Sequence, residues 1–209
     1  MLSNMNLETI IVTVIALLTT IVLHELAHGY TALLLGDDTA QKMGRLTFNP
    51  IAHINLPGMI SLFLFRFGWA NPVPINFNKL RKKRLGIFLV SIAGISVNLF
   101  VAFLSSFGYV YTVYKNMDPF FVNLFFMLLV YNISFAVFNL LPLPPLDGSK
   151  LVITLFPYKV QYAFYKYERY FYFILLILVF SRIINDVISP IIQTIYTLFV
   201  NNAARLIFR

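Results

Sequence analysis

Long apolar runs alternate with short polar breaks along the whole chain. The first run extends from about Leu7 to Leu35. It is apolar except around Thr19, Thr20, His24, Glu25 and His28, and Gly36-Asp37-Asp38 ends it. The second runs from about Leu85 to Tyr111, behind the basic run Arg81-Lys82-Lys83-Arg84. The third runs from about Phe120 to Leu141 and stops in Pro142-Leu143-Pro144-Pro145-Leu146-Asp147-Gly148. The fourth starts near Tyr170, is interrupted by Asn185-Asp186 and Pro190, and continues to Val200. A helix that crosses a bilayer needs ~20 predominantly apolar residues. The first three runs meet that length; the fourth reads either as one kinked span or as a span plus a surface helix. The pattern predicts an all-α polytopic membrane protein with about four transmembrane helices.

Between the first two runs, Gly36 to Arg84 is irregular, with Asn49-Pro50, Pro57-Gly58 and Asn71-Pro72-Val73-Pro74 as breaks. Met59 to Phe67 is apolar but, at about nine residues, too short to span. It reads either as a re-entrant or membrane-associated hairpin, tolerated where its backbone lines a protein cavity, or as a partly buried loop. No repeat or low-complexity linker divides the chain. The expected organisation is a single membrane-embedded domain, 1–209, with a core at 7–150 and a C-terminal span and tail at 151–209.

Composition supports a lipid-facing exterior. The 209 residues are 59% hydrophobic and only 11% charged, with mean hydropathy +0.80; a soluble domain is about 25% charged. The first run lacks a basic region before it and carries His24 at its far end, so it reads as a retained span rather than a cleavable signal. The net charge of +8 does not point to nucleic acid, because the basic residues sit at the ends of apolar runs, where headgroups and topology account for them. Twelve of the sixteen Lys and Arg fall between Lys42 and Arg84 or between Lys150 and Arg169. The positive-inside rule puts both regions in the cytoplasm. His24, Glu25 and His28 then lie toward the cytoplasmic end of the first span, on the same side as Asp147. The absence of cysteine excludes thiolate ligands and cysteine nucleophiles.

His24-Glu25-Leu26-Ala27-His28 fits the pattern H-E-x-x-H. Positions i and i+4 share one helix face, so two imidazoles there can bind one metal with bonds of ~2.0–2.1 Å. In zinc proteases of this pattern the glutamate after the first ligand acts as general base, which is the role expected for Glu25. Ionisable groups within a span cost roughly 2.5–3.5 kcal/mol each on insertion scales and mark function by default. Zinc needs a third protein ligand, with the fourth position open to water. Glu8, Asp37, Asp38, Asp118, Glu168 and Asp186 sit at segment ends and read as solvated surface charges. Two candidates are left. Asp147 stands beside an apolar span where Pro142, Pro144 and Pro145 forbid regular helix, and broken backbone at membrane depth lines a cavity. His53 is the other.

The chain resembles the site-two protease family of intramembrane zinc metalloproteases. The resemblance rests on His24-Glu25-Leu26-Ala27-His28-Gly29 and on Asn139-Leu140-Leu141-Pro142-Leu143-Pro144-Pro145-Leu146-Asp147-Gly148. Gly44 to Pro50, Gly68 to Pro74 and Ala93-Gly94-Ile95-Ser96-Val97-Asn98 look like further family segments. It covers about Leu23 to Lys150 and implies the compact form of the family, without a PDZ or CBS domain. It also implies one zinc ion with Asp147 as third ligand, and a role for Asn98 in holding substrate or the oxyanion. Gly68 to Pro74 resembles the family's membrane-associated hairpin near the substrate path. The sequence departs from the family at Ile95, where proline is usual.

The activity implied is hydrolysis of peptide bonds in or near transmembrane segments of membrane proteins or of leftover signal peptides. Water activated by zinc would attack, with Glu25 as base. A zinc permease would not need Glu25 and would spread its polar groups along a pathway. A non-catalytic scaffold would be expected to have lost Glu25 or a ligand. Neither signature is present.

Overall fold

A computed structural model describes residues 6–58, 61, 70–181 and 183–208. Helix α1, Leu7–Leu34, starts where the Asn6 side chain accepts from the backbone N–H of Thr9 at 2.8 Å, with Glu8 in the first turn. Both features suit the unpaired N–H groups and positive dipole end of a helix N-terminus. Helix α2 is a single turn, Thr39–Lys42, and a 3-10 turn follows at Pro50–His53, where the Asn49 side chain accepts from Ile51 N–H. The apolar stretch Met59 to Phe67 and the first two residues of Gly68 to Pro74 lie outside the described residues, apart from Ser61. From Ala70 to Asn76 the chain has no regular secondary structure.

Helix α3, Lys83–Tyr114, runs unbroken through Ile95, so the helix keeps the hydrogen bond that the family's usual proline would remove. A short turn, with Asn116 in the left-handed region, leads to helix α4, Pro119–Asn139. The Asp118 side chain caps α4 by accepting from Phe120 N–H at 2.9 Å, and Pro119 occupies its first position, where a missing N–H costs nothing. Helix α5, Asp147–Ile153, is short; α6, Tyr158–Phe180, and α7, Ile183–Ile207, complete the chain. No strand occurs among the described residues.

Helices α1, α3 and α4 pack on one another pairwise, and α7 leans against α3 and α4. Ala102, Leu129, Ile133, Val137, Leu146, Leu175, Ile184 and Ile188 form the larger apolar cluster. Many large apolar side chains face outward, among them Ile11, Ile15, Phe100, Leu104 and Phe121, as expected where the exterior is solvated by lipid.

Among the described residues four helices are long and apolar enough to cross a membrane: α1, α3, α4 and α7. Three coincide with expected runs. The fourth run is corrected. Its break falls at Ser181, where α6 ends, and not at Asn185-Asp186, which belong to the first turn of α7. An acidic residue is favoured in a first turn, so Asp186 starts this helix rather than ending the previous one. Pro190 lies inside α7, which accommodates it.

Candidate active site

His24 and His28 lie one turn apart on the buried face of α1, and their rings meet edge to face with centroids 4.4 Å apart. Phe135 of α4 packs against the His24 ring at 4.8 Å. The third element comes from the chain after α4. There the backbone folds back so tightly that a Cβ on Gly148 would collide with the carbonyl of Leu140 and lie 2.6 Å from that of Leu141. Glycine at this position lets α5 approach the broken segment and aims Asp147 at the histidines. Asp147 Oδ2 lies 3.1 Å from His24 Nε2 and 3.0 Å from His28 Nε2. Its other oxygen, Oδ1, accepts from Lys150 Nζ at 3.2 Å.

The hydrogen bonds show which nitrogen of each ring donates away from the group. His28 Nδ1 lies 2.7 Å from the backbone carbonyl of Val90. A carbonyl only accepts, so Nδ1 donates, and in the neutral imidazole Nε2 keeps its lone pair. His24 Nδ1 lies 2.7 Å from Asn98 Oδ1 and donates to it. The two bare Nε2 atoms then face each other at 2.9 Å beside a carboxylate oxygen. Three such atoms this close repel unless a proton or a metal cation lies among them. Zinc bonds of ~2.0–2.1 Å in a tetrahedral site put neighbouring donors roughly 3.3 Å apart, so the set fits that ion after small adjustments. His24, His28 and Asp147 form the one such group of metal-ligating side chains found among the described residues.

Gly94 of α3 faces this group. A Cβ there would stand 2.6 Å from His24 Cε1 and 2.6 Å from His28 Nε2. Only a residue without a side chain leaves the rings their place.

Glu25 is half-buried, and its Oε2 accepts from the backbone N–H of Val73 at 2.8 Å. The segment that supplies this N–H is held in turn. Arg45 Nη2 donates to the carbonyls of Asn71 and Pro72 at 2.8 and 3.2 Å, and Asn71 N–H donates to the His53 carbonyl at 2.8 Å.

Of the expected site residues, then, His24, His28 and Asp147 come together, with Asn98 behind His24. His53 does not join them. It is buried, and its Nε2 donates to the Thr47 carbonyl at 2.8 Å. Asn98 is fully buried. Its amide nitrogen donates to the Thr20 carbonyl at 3.1 Å and to Asn132 Oδ1 at 2.8 Å. Both amide protons are therefore engaged within the protein. Asn139 braces the end of α4 by donating to the Phe135 carbonyl at 3.0 Å.

Asp37 also differs from its reading as a solvated charge. It is buried and accepts from Thr39 N–H and Oγ1 and, at 2.6 Å, from Asn76 N–H, so it ties the exit of α1 to the segment before α3. Its neighbour Asp38 is only half-buried. Hydrogen bonds from Lys42 and then Lys79 hold the Asp38 carboxyl down to about 2. Val73, Arg45, Lys150, Thr20 and Asn132 also take part, with roles that no sequence motif marks. A signal existed for the last two, since Thr20 lies one turn before His24 and Asn132 is a polar residue inside an apolar run.

Comparison with known proteins identifies the family. The family model for Peptidase family M50 matches residues 114–181. The chain is 40% identical over 186 residues to the "Putative zinc metalloprotease YwhC" of Bacillus subtilis (strain 168), covering 86% of this chain and 85% of the relative. This chain belongs to peptidase family M50. No solved structure matches it. Members of this family, the site-two proteases, are metalloproteases, and the span-capable helices of this chain suit a family whose proteolysis takes place in the membrane.

Proposed function

We propose that this M50 protein is an endopeptidase holding one zinc ion on His24, His28 and Asp147. It would cut peptide bonds in or beside transmembrane segments of membrane proteins or leftover signal peptides. The observation that carries this is the pair of bare ring nitrogens facing each other across a carboxylate oxygen, with the nitrogen on the other side of each ring committed as a donor.

When bound, zinc supplies Lewis-acid charge that makes water a competent nucleophile at neutral pH. The protein's own groups do the rest. Val90 and Asn98 hold the two rings in register, and Lys150 occupies the Asp147 oxygen that faces away from them. Glu25, next to the first ligand and held by Val73 N–H, takes a proton from the attacking water and delivers it to the leaving amine. A substrate helix buries its carbonyls in its own hydrogen bonds, so the bond to be cut must first unwind. Arg45 and Lys150 both make contacts beside the site. They belong to the two stretches, Lys42 to Arg84 and Lys150 to Arg169, that hold twelve of the sixteen Lys and Arg, which supports a site toward the cytoplasm.

The test uses purified full-length protein in detergent or proteoliposomes, with a panel of single-span substrates and mass spectrometry of the fragments. Cleavage within or beside the span, abolished by a zinc chelator and restored by zinc, is the expected result. Zinc-loaded wild-type protein that cleaves none of the panel, and whose Glu25→Gln form traps no peptide in native membranes, would overturn the reading.

A further inference from the structure

Each proposed histidine ligand shows one nitrogen to the metal position; what lies behind the other differs between them. Behind His28 is a backbone carbonyl, that of Val90. Behind His24 is a chain of three polar side chains drawn from three helices. Asn98 Oδ1 meets His24 Nδ1 at 2.7 Å, and Asn98 Nδ2 donates to the Thr20 carbonyl at 3.1 Å and to Asn132 Oδ1 at 2.8 Å. Asn132 Nδ2 donates to Thr20 Oγ1 at 2.9 Å and to the Leu128 carbonyl at 2.8 Å. Thr20 Oγ1 donates to the Ala16 carbonyl at 2.8 Å. Asn98 and Asn132 are 0% exposed and Thr20 1%, so water completes none of these bonds.

The direction of every bond follows from its ends. The Thr20 carbonyl accepts only, so the amide group turned toward it is NH2 and the oxygen of Asn98 must face His24. The Leu128 carbonyl orients Asn132 in the same way, so its oxygen faces Asn98. The Ala16 carbonyl fixes the Thr20 hydroxyl proton and leaves its oxygen to accept from Asn132. Three backbone carbonyls thus set all the protons, and the one consequence outside the network is that His24 Nδ1 carries hydrogen, which in the neutral ring leaves Nε2 bare for a metal. Ordinary polar contacts between membrane helices need no such direction. Partners behind metal-bound histidines select the tautomer and the ring orientation.

We propose that Thr20, Asn98 and Asn132 act together as a positioning device for His24, locking the tautomer and ring angle that a metal requires. The proposal rests on His24 being a ligand. Asn132 and Thr20 touch neither ring, so they act through Asn98.

Zinc affinity by chelator competition and the visible spectrum of the Co2+-loaded full-length protein test it. Asn98→Leu removes the acceptor and should weaken zinc binding by ~10–100-fold and alter the Co2+ spectrum. Asn132→Leu should shift both in the same direction by a smaller factor. Asn98→Asp cannot donate to Thr20 or Asn132 but still accepts from His24, and it should recover part of the affinity lost in Asn98→Leu without reaching wild type. Ser106→Ala is the control. It removes a buried hydrogen bond, 2.6 Å to the Phe103 carbonyl, about 12 Å further along α3, and should change neither readout. Wild-type zinc affinity and Co2+ spectrum in both Asn98→Leu and Asn132→Leu would overturn the proposal. So would equal losses in Ser106→Ala, or no recovery in Asn98→Asp. If Asn98→Leu does not fold, Asn132→Leu with Thr20→Val and Thr20→Ser carries the test, the serine keeping the hydroxyl. A wild-type protein that takes up no zinc would instead sink the metal reading itself, and this proposal with it.

Discussion

The backbone N–H of Val73 donates to Glu25 Oε2 across 2.8 Å, linking the irregular segment before α3 to the helix that carries the histidines. Between residues 71 and 74 only Asn71 and Val73 have an N–H, because 72 and 74 are prolines. Asn71 spends its own on the His53 carbonyl. Val73 is therefore the donor this segment has left for a carboxylate, and Glu25 takes it.

Glu25→Gln separates holding from catalysis. Glutamine still accepts from Val73 N–H and has the same shape, but it cannot take a proton from water. Cleavage of a single-span substrate should fall by ~10²–10⁴-fold, the usual contribution of a general base. Zinc content by elemental analysis should stay at the wild-type level. Wild-type turnover in this variant would remove Glu25 from the mechanism.

Arg45 acts on the same carboxylate from a distance. Its Nη2 holds the carbonyls of Asn71 and Pro72, and with them the height of the Val73 N–H. Arg45→Met keeps the apolar stem and loses both bonds. The segment should loosen, and cleavage should drop by up to ~10²-fold, the scale of a misplacement near 1 Å. Zinc content should be unaffected, since no ligand touches Arg45. Loss of zinc together with activity would show a general collapse and not a displaced Val73.

Asp147 and His53 can be separated in one experiment. Asp147→Asn is nearly isosteric but uncharged, and it leaves Lys150 without its anionic partner. Metal content should fall sharply in purified protein dialysed against a weak chelator. His53→Gln should hold zinc like wild type, because His53 points at the Thr47 carbonyl. The reverse outcome would transfer the third-ligand role to His53.

What could be read from the chain, and what could not, follows from range. The H-E-x-x-H face depends on spacing within one helix, so His24, Glu25 and His28 were legible from sequence. Asp147 stood out because three prolines break the chain beside a span. The three apolar runs that became α1, α3 and α4 had the length a bilayer demands. The break near Ser181 was misplaced because Asn185-Asp186 and Pro190 look like a terminator, although a first helical turn favours an acid and α7 absorbs the proline. The roles of Thr20, Asn132, Val73 and Arg45 are not legible in the sequence because they depend on partners 26 to 112 residues away. A hydrophobic pattern carries no record of those pairings. Asn98 stands beside His24, in the neighbourhood expected of it.

Gly94 offers the sharpest steric test of the metal position. A methyl group there would stand 2.6 Å from His24 Cε1, 2.7 Å from His24 Nδ1 and 2.6 Å from His28 Nε2. Neither ring can swing aside cheaply, because each is held from behind, one by Asn98 and the other by Val90. Relief must come from moving α3 against α1, and overpacking of this kind costs about 1–3 kcal/mol. Gly94→Ala should therefore lower the thermal midpoint in detergent and, more tellingly, bind zinc weakly even where it remains folded. Ser96→Ala, on the exposed side of the same helix, should match wild type in both measurements. A Gly94→Ala protein with full zinc content and full activity would mean that the rings do not work from the positions seen here.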